Sequence, residues 1–250
     1  MKTFRADLHV HTVLSPCGDL EMSPVNIVEA AVRRNIDILG IADHNSTLNA
    51  AVIHQLAAKK GIFTLCGAEV TTKEEAHCLA FFEDFEKLGE FQQYLEAHLP
   101  PIKNNPATFG YQVVVDEHDQ IIRQVEHVLI SAIGQTIDQV QQKVHSLNGL
   151  FIPAHIDRPR YSLTSQLGFV PPDIRADALE ISRFTTVGQM IEKYPYLKGY
   201  SFITSSDAHF PHMIGERFTV FQMQQLSFEE IRMALHHEQN RKVTFPANDL

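Results

Sequence analysis

The sequence is short of the features that mark several protein classes. Its three cysteines, at 17, 66 and 78 in 250 residues, are odd in number and unpaired in spacing. That excludes a disulfide framework and suits a reducing compartment, so a cytoplasmic location is expected. No apolar run is long enough to span a bilayer, and Met1-Lys2-Thr3-Phe4 leads into a strand pattern without a signal-peptide layout, so no membrane partner is expected. There is no repeat, linker or low-complexity tract. A basic surplus is also missing. The formal charge of −9 opposes a long nucleic acid as partner, though it says little about a small phosphorylated substrate, because a pocket holding dications is locally positive whatever the global sum. No glycine-rich phosphate loop and no Gly-x-Ser-x-Gly elbow occurs, so nucleotide-triphosphatase and serine-hydrolase chemistry have no footing. Nothing in the sequence sets an oligomeric state.

What is present reads as an ordinary globular chain, 44% hydrophobic and 20% charged, in which short apolar strands alternate with helical segments. Strands are expected over 4–10, 36–42, 62–68, 77–82, 150–154, 178–181, 200–204 and 218–222. Helices are expected from Ser23-Pro24, from Asn45 or Ser46 to Gly61, over 85–98 and 136–148, and from Ser227 with Glu230 in capping-box register. Residues 111–115 and 120–125 look like a hairpin, so the stretch at about 100–125 is read as an insertion or flap on one domain covering 1–250. Repeated strand–helix units imply a parallel sheet with crossover helices, open or closed into a barrel, and either form gathers its chemistry at the carboxyl ends of the strands.

The compositional excess is histidine, 14 residues with no tag-like run. Several stand just after apolar runs: His9 and His11, Asp43-His44, Glu69, His155, then Asp207 and His209. His77 stands instead at the start of a run, which an antiparallel strand or a returning turn would repair. Residues two apart on a strand share a face, so His9 and His11 can address one ion, with Asp7 on that face as ligand or orienter. The plainer alternatives are a solvated amphipathic strand, a capping role for Asp207 and unremarkable single histidines. Taken as a set, six histidines with Glu69 and Asp207 suffice for two or three ions, each with at least three protein ligands and an open position. Arg158, Arg160 and Arg183 could clamp a phosphate, Arg158 first among them. His54, His98, His145, His236 and His237 read as surface residues, and His118 as a solvated turn that could reach a substrate.

The ordered series Asp-Leu-His-Val-His-Thr, Ala-Asp-His-Asn, Gly-Ala-Glu-Val, Ala-His, Pro-Ala-His and Ser-Ser-Asp-Ala-His, running from Asp7 to His209, resembles the motif series of the PHP (polymerase and histidinol phosphatase) family. The resemblance implies a distorted (β/α)7 barrel holding two or three zinc, manganese or iron ions. Their ligands would be His9, His11, His44, Glu69, His77, His155, Asp207 and His209. Where many relatives carry an aspartate or histidine five or six residues after the second histidine, this chain has Pro16 and Cys17. Cys17 is the expected additional ligand, a thiolate favouring zinc or iron, with Asp19 or water as the alternative and His212 as substitute for a failed assignment. Cys66 and Cys78 read as packed thiols. The expected activity is hydrolysis of a small-molecule or nucleotide phosphomonoester through a metal-activated hydroxide. Asp207 and His209 would orient water or pass a proton, and Arg158 would neutralise the phosphoryl group. The alternatives are a phosphodiesterase or exonuclease on short oligonucleotides, a non-catalytic accessory module, and a metal-using C–N hydrolase.

Overall fold

The computed structural model describes residues 1–245. Eleven strands carry it: β1 (Lys2–Val10), β2 (Ile38–His44), β3 (Phe63–Thr71), β4 (His77–Phe82), β5 (Val113–Val115), β6 (Ile121–Gln124), β7 (Leu150–Pro153), β8 (Leu179–Glu180), β9 (Phe202–Ile203), β10 (Thr219–Met223) and β11 (Lys242–Thr244). Seven of them form one curled sheet in the order β11-β10-β1-β2-β3-β4-β7. Its open side is closed by the parallel β8–β9 pair. Asp177 N donates to Phe151 O at 2.9 Å and Ile156 N to Glu180 O at 2.8 Å, tying β8 to β7. Beyond β9, Ala208 N donates to His9 O and His11 N to Ala208 O, both at 3.1 Å, which returns the ring to β1. The result is the expected distorted α/β barrel.

The sheet is not parallel throughout. β1, β2 and β3 run parallel, but β4 is antiparallel to both β3 and β7, and β10 is antiparallel to β1. The cause is local: residues 72–76 are too few for a crossover, so the chain can only turn back on itself. That return places His77 opposite Thr71, at the same end of the barrel as Glu69, as an antiparallel strand there should.

Helix starts follow from capping chemistry. Ser23 accepts from Asn26 N ahead of Pro24, Asp84 accepts from Lys87 N, and Thr136 and Gln139 form a reciprocal box. Two expectations fail. Ser227 does accept from Glu230 N, but the Glu230 carboxylate turns to Gln224 N and Arg241 instead of closing a box. Neither Asn45 nor Ser46 caps the helix Ala50–Ala58. Asn45 sits at φ 45° and ties the end of β2 to Leu129 O, Ser131 O and Thr71 N.

The barrel interior is packed by Leu8, Ile38, Leu65, Leu79, Phe81, Ile152, Ile203 and Phe221. The helix Phe228–Leu235 contributes Phe228, Ile231 and Leu235 to the same cluster, beside Phe4 and Phe63 at the strand starts, and so stoppers the end opposite the strand carboxyl ends. A second cluster fills the layer between sheet and outer helices. The β5–β6 hairpin lies where expected and is held by side chains: Asn49 bonds Val113 O and Val115 N, and Ser23 Oγ donates to Asp119 in the turn. His118 is exposed in that turn. Among the described residues no helix is long and apolar enough to cross a membrane.

Candidate metal centre

The site begins with an irregularity in β1. Its register against β2 slips between Asp7 and Val10. Leu8 packs inside the barrel while Val10, two residues on, packs in the outer layer. A bulge of this kind inverts the alternation of faces, so Leu8 points into the core below and His9 and His11 point into the mouth above it. Asp7 therefore does not share their face, contrary to the sequence expectation. It accepts from Ser206 N and Oγ and from Gly215 N, at 3.0, 2.7 and 2.8 Å, and anchors the loop that carries Asp207 and His209. Gly40 permits the bulge: a Cβ there would lie 2.3 Å from Leu8 O.

Hydrogen bonds fix the orientation of the rings. His9 Nδ1 lies 3.0 Å from a Glu180 oxygen, and His11 Nδ1 lies 2.9 Å from Ser15 Oγ, whose own proton goes to Asp43 at 2.7 Å. Both Nδ1 atoms therefore donate and both Nε2 atoms turn inward, 3.2 Å apart. Only one positive species can sit between them. His209 Nδ1 likewise donates to Asp207 O at 2.9 Å, which aims Nε2 at Cys17 Sγ, 3.1 Å away. Glu69, fully enclosed, meets His77 Nδ1 at 2.8 Å, His155 Nε2 at 3.0 Å, His44 Nδ1 at 3.1 Å and His9 Nε2 at 3.3 Å. Asp207 Oδ1 is 3.3 Å from His11 Nε2 and 3.5 Å from His9 Nε2.

Three groups of potential ligand atoms lie within 4.8 Å of one another: His11, Cys17, His44 and His209; His9, His11 and Glu69; and His44, Glu69 and His77. His155 and Asp207 flank them. The structure thus brings together every expected ligand residue, Cys17 included. Asp19 stays outside and caps Glu21 N, and His212 joins none of the groups.

The donor set suits dications. The Nδ1 atoms of His44 and His155 are buried without a hydrogen bond, the His44 contact with Glu69 being close but not aligned as one, a costly state that a cation would relieve. Burial pushes His11 down to about 4, aided by His209, and holds His44 well below its ordinary value, so both are neutral lone-pair donors. Burial alone would raise Glu69, but His77, His9 and His44 outweigh it and keep the carboxylate well below its usual range. Asp207 is also held low: burial opposes this, and His9 and His11 prevail. At His9 burial works downward, yet Glu180, Asp207 and Glu69 raise the ring well above the usual imidazole range. Among those carboxylates even a proton is drawn in to supply positive charge. Burial and the Glu69 and Asp207 carboxylates push the Cys17 thiol up, which a coordinated dication would reverse.

Four non-glycine residues around this cluster hold positive φ: Asn45 (45°), His155 (30°), Tyr161 (56°) and Asp207 (50°). Such backbone costs of order 1–3 kcal/mol per residue and gathers where side chains must be aimed. Arg158 Nη1 sits 2.5 Å from Asp207 Oδ2 at the rim of a cavity of about 260 Å³ that opens on the cluster. Tyr161 forms part of its wall, stacked on His77 with centroids 4.9 Å apart. Arg160 is exposed. A larger cleft of about 550 Å³, beside the hairpin and the helix Phe85–His98, is lined by none of the expected ligands. Sequence reasoning missed Glu180, which orients His9 and accepts from His155 N at 3.0 Å. Its signal was a lone carboxylate inside an apolar strand. The Ser15–Asp43 relay behind His11 was missed too.

A family profile described as PHP domain matches residues 7–166, and one described as PHP-associated matches 190–240. The chain belongs to the PHP domain family. The PHP chain is 27% identical to the uncharacterized protein YqxK of Bacillus subtilis (strain 168) over 97% of its own length and 64% of that protein's. It superposes on the lesion-specific endonuclease PfuEndoQ of Pyrococcus furiosus with a TM-score of 0.72 at 22% identity, covering 97% of this chain and 58% of that one. A structure of Endonuclease Q with a 27-mer duplex bearing an abasic lesion at the active site gives a TM-score of 0.74 at 21% identity, covering 96% and 58%. The PHP chain therefore spans roughly three fifths of the length of each of these relatives.

Proposed function

We propose that this PHP chain, one catalytic unit over 1–250 with the segment at about 100–125 as an insertion, hydrolyses phosphodiester bonds of nucleic acid strands using two or three divalent ions. The observation that carries the hydrolytic reading is the convergence of imidazole nitrogens, Glu69, Asp207 and the Cys17 sulfur at one end of the barrel. Zinc, manganese and iron all fit nitrogen–oxygen donors, and Cys17 favours zinc or iron. The ligands in this reading are His9, His11, Cys17, His44, Glu69, His77, His155, Asp207 and His209. Ions held there supply Lewis acidity, bringing the pKa of water near neutral and offsetting charge on phosphoryl oxygens. The chain's own groups do the rest. Asp207, held ionised, is a weak base and orients the attacking water. His209, at the rim with its side chain 22% exposed, would help to orient that water at the edge where the released proton leaves to solvent. Arg158, with Asp207 as its resting partner, presents guanidinium donors to the phosphoryl oxygens.

The diester reading is supported by the extent of the likeness to Endonuclease Q, which spans almost the whole of this chain and whose own structure holds a 27-mer duplex substrate. It replaces the sequence-based expectation that no long nucleic acid is bound. That expectation rested on a global charge of −9, whereas binding at the pocket answers to local charge. A small phosphomonoester is the second reading, favoured by the modest cavity of about 260 Å³, near the lower end of small-ligand pockets. The test uses protein purified without added metal, assayed for bound elements and then for hydrolysis of bis-(p-nitrophenyl) phosphate against p-nitrophenyl phosphate and of a single-stranded oligonucleotide. Metal-dependent cleavage of the diester and the oligonucleotide is expected. A preference for the monoester with an intact oligonucleotide overturns the diester reading, and activity that resists chelation overturns the metal reading.

A further inference from the structure

A second, smaller cavity of about 80 Å³ adjoins the metal centre, and His155, Arg158 and Asp207 line both. By the measure in which one water needs roughly 10–15 Å³, it admits about five to eight heavy atoms, room enough for a phosphate group. Its walls contain two carboxylates, both already engaged: Glu180 accepts from His9 and His155 N, and Asp207 pairs with Arg158. Ser182 Oγ is likewise committed, donating to Asp157 at 2.5 Å. Apart from His155 Nδ1, which turns to the metal cluster in the reading above, the wall groups left without a partner can donate. Ser205 Oγ is buried with no hydrogen-bond partner. The Arg183 guanidinium, which meets no carboxylate among the described residues, lies over the Phe184 ring, 5.0 Å from its centroid. Phe184 itself is 73% exposed at the cavity edge.

We propose that this cavity is a subsite for the phosphate next to the scissile one in a nucleotide strand, with Arg183, Ser205 and the outer face of Arg158 as its donors. It rests on the phosphodiesterase reading and adds to it a reason for choosing a polymer. An unpartnered buried hydroxyl and an unpaired guanidinium call for an acceptor-rich, anionic group. Continuity with the metal centre through Arg158 makes the neighbouring phosphate of the same strand the group in reach. The exposed Phe184 ring offers a stacking surface for the intervening base, of the kind that serves single strands without regard to sequence.

The experiment compares a thymidine trinucleotide having an ordinary flanking phosphodiester with one in which that linkage is a neutral methylphosphonate. The scissile bond is the same in both. The wild-type protein should prefer the charged flank by roughly 10- to 100-fold in kcat/KM, the yield of charge-assisted hydrogen bonds, and mainly through KM. Arg183→Ala and Ser205→Ala should each shrink that preference, and the double variant should abolish it. Equal cleavage of the two trinucleotides by the wild-type protein, or a preference that survives the double variant, overturns the subsite. Cleavage of neither trinucleotide, with bis-(p-nitrophenyl) phosphate also untouched, refutes the phosphodiesterase reading instead.

Discussion

Glu180 is the residue whose loss separates the architecture of the site from its ligands. One of its oxygens takes both relevant bonds, His9 Nδ1 and His155 N, each at 3.0 Å. In Glu180→Gln a single amide oxygen can accept both, so shape and hydrogen-bond count survive while the negative charge is lost. A carboxylate behind a ligating imidazole makes that ring more basic, and removing such partners typically weakens metal affinity about 10- to 100-fold, or roughly 1.4–2.7 kcal/mol. Glu180→Ala removes the acceptor as well and leaves two buried donors unpaired, at about 1–3 kcal/mol each. Competition against a chromophoric zinc chelator should therefore rank affinity as wild type, then Glu180→Gln, then Glu180→Ala. Denaturant unfolding of the metal-free proteins should show only the alanine variant clearly destabilised. If Glu180→Gln holds metal as tightly as the wild type, the carboxylate is no more than a packing partner and the reasoning fails.

Gly40→Ala should cost about 1–3 kcal/mol and loosen metal binding with it, because the new Cβ lies 2.3 Å from Leu8 O at the bulge that turns His9 inward; urea midpoints and metal titration check both effects. Stripping the ions should lower the melting temperature by roughly 8–16 °C relative to protein held at a thousandfold excess over its dissociation constant, from about 4 kcal/mol of linkage; an unchanged melt would mean that no ion stabilises the fold. At the opposite end of the barrel, burial opposes the ionisation of Asp177, but the His145 ring 3.8 Å away and hydrogen bonds from His236 and Phe151 N hold its pKa down at about 2. Its hydrogen bond in turn raises His236. The Asp177 share of stability is present above about pH 4 and fades as pH falls through its folded value, while the His236 share is present below about pH 6.5 and fades as pH rises through its raised value. Asp177→Asn should thus be most destabilising, by about 2 kcal/mol, between roughly pH 4 and 6.5, and a penalty that is flat with pH would count against the pair.

Much of the site was legible because it lies where strands end. His9, His11, His44, Glu69 and His155 each follow an apolar run, and a barrel turns that linear habit into one point in space. Cys17 was legible as a departure from a pattern, a soft donor where hard ones are usual. What stayed hidden depends on partners distant in the chain. The face of Asp7 follows from a bulge that is set by the close approach of Gly40 to Leu8, and a two-residue alternation rule has no means of foreseeing it. Glu180 looked like a strand residue because β8 is two residues long and its neighbours are apolar. Asn45 looked like a cap because its type suits one, but its side chain found Leu129 O and Thr71 N first. His236 read as a surface residue, and its bond to Asp177 across 59 residues could not be seen from either end.

Under the strand-cleaving reading proposed above, composition is a poor guide to nucleic acid for a related reason. A charge of −9 sums over the whole chain, whereas a phosphate at the mouth of the barrel meets a few groups only. Glu69 and Asp207 lie beneath it, already surrounded by imidazoles, and Arg158 and Arg183 stand at the rim. Each dication added to the cluster cancels two negative charges there, so two ions offset Glu69, Asp207, Glu180 and a Cys17 thiolate together. The loaded pocket is then close to neutral in its depths and positive at its edge, with donors left over for an anion. High salt should weaken binding of a strand by screening the rim, but leave the enclosed ion cluster nearly untouched. Titrations of an oligonucleotide and of zinc at 50 and 500 mM salt would show the two affinities diverging, and parallel losses would mean that the charges holding the strand are not those of the rim.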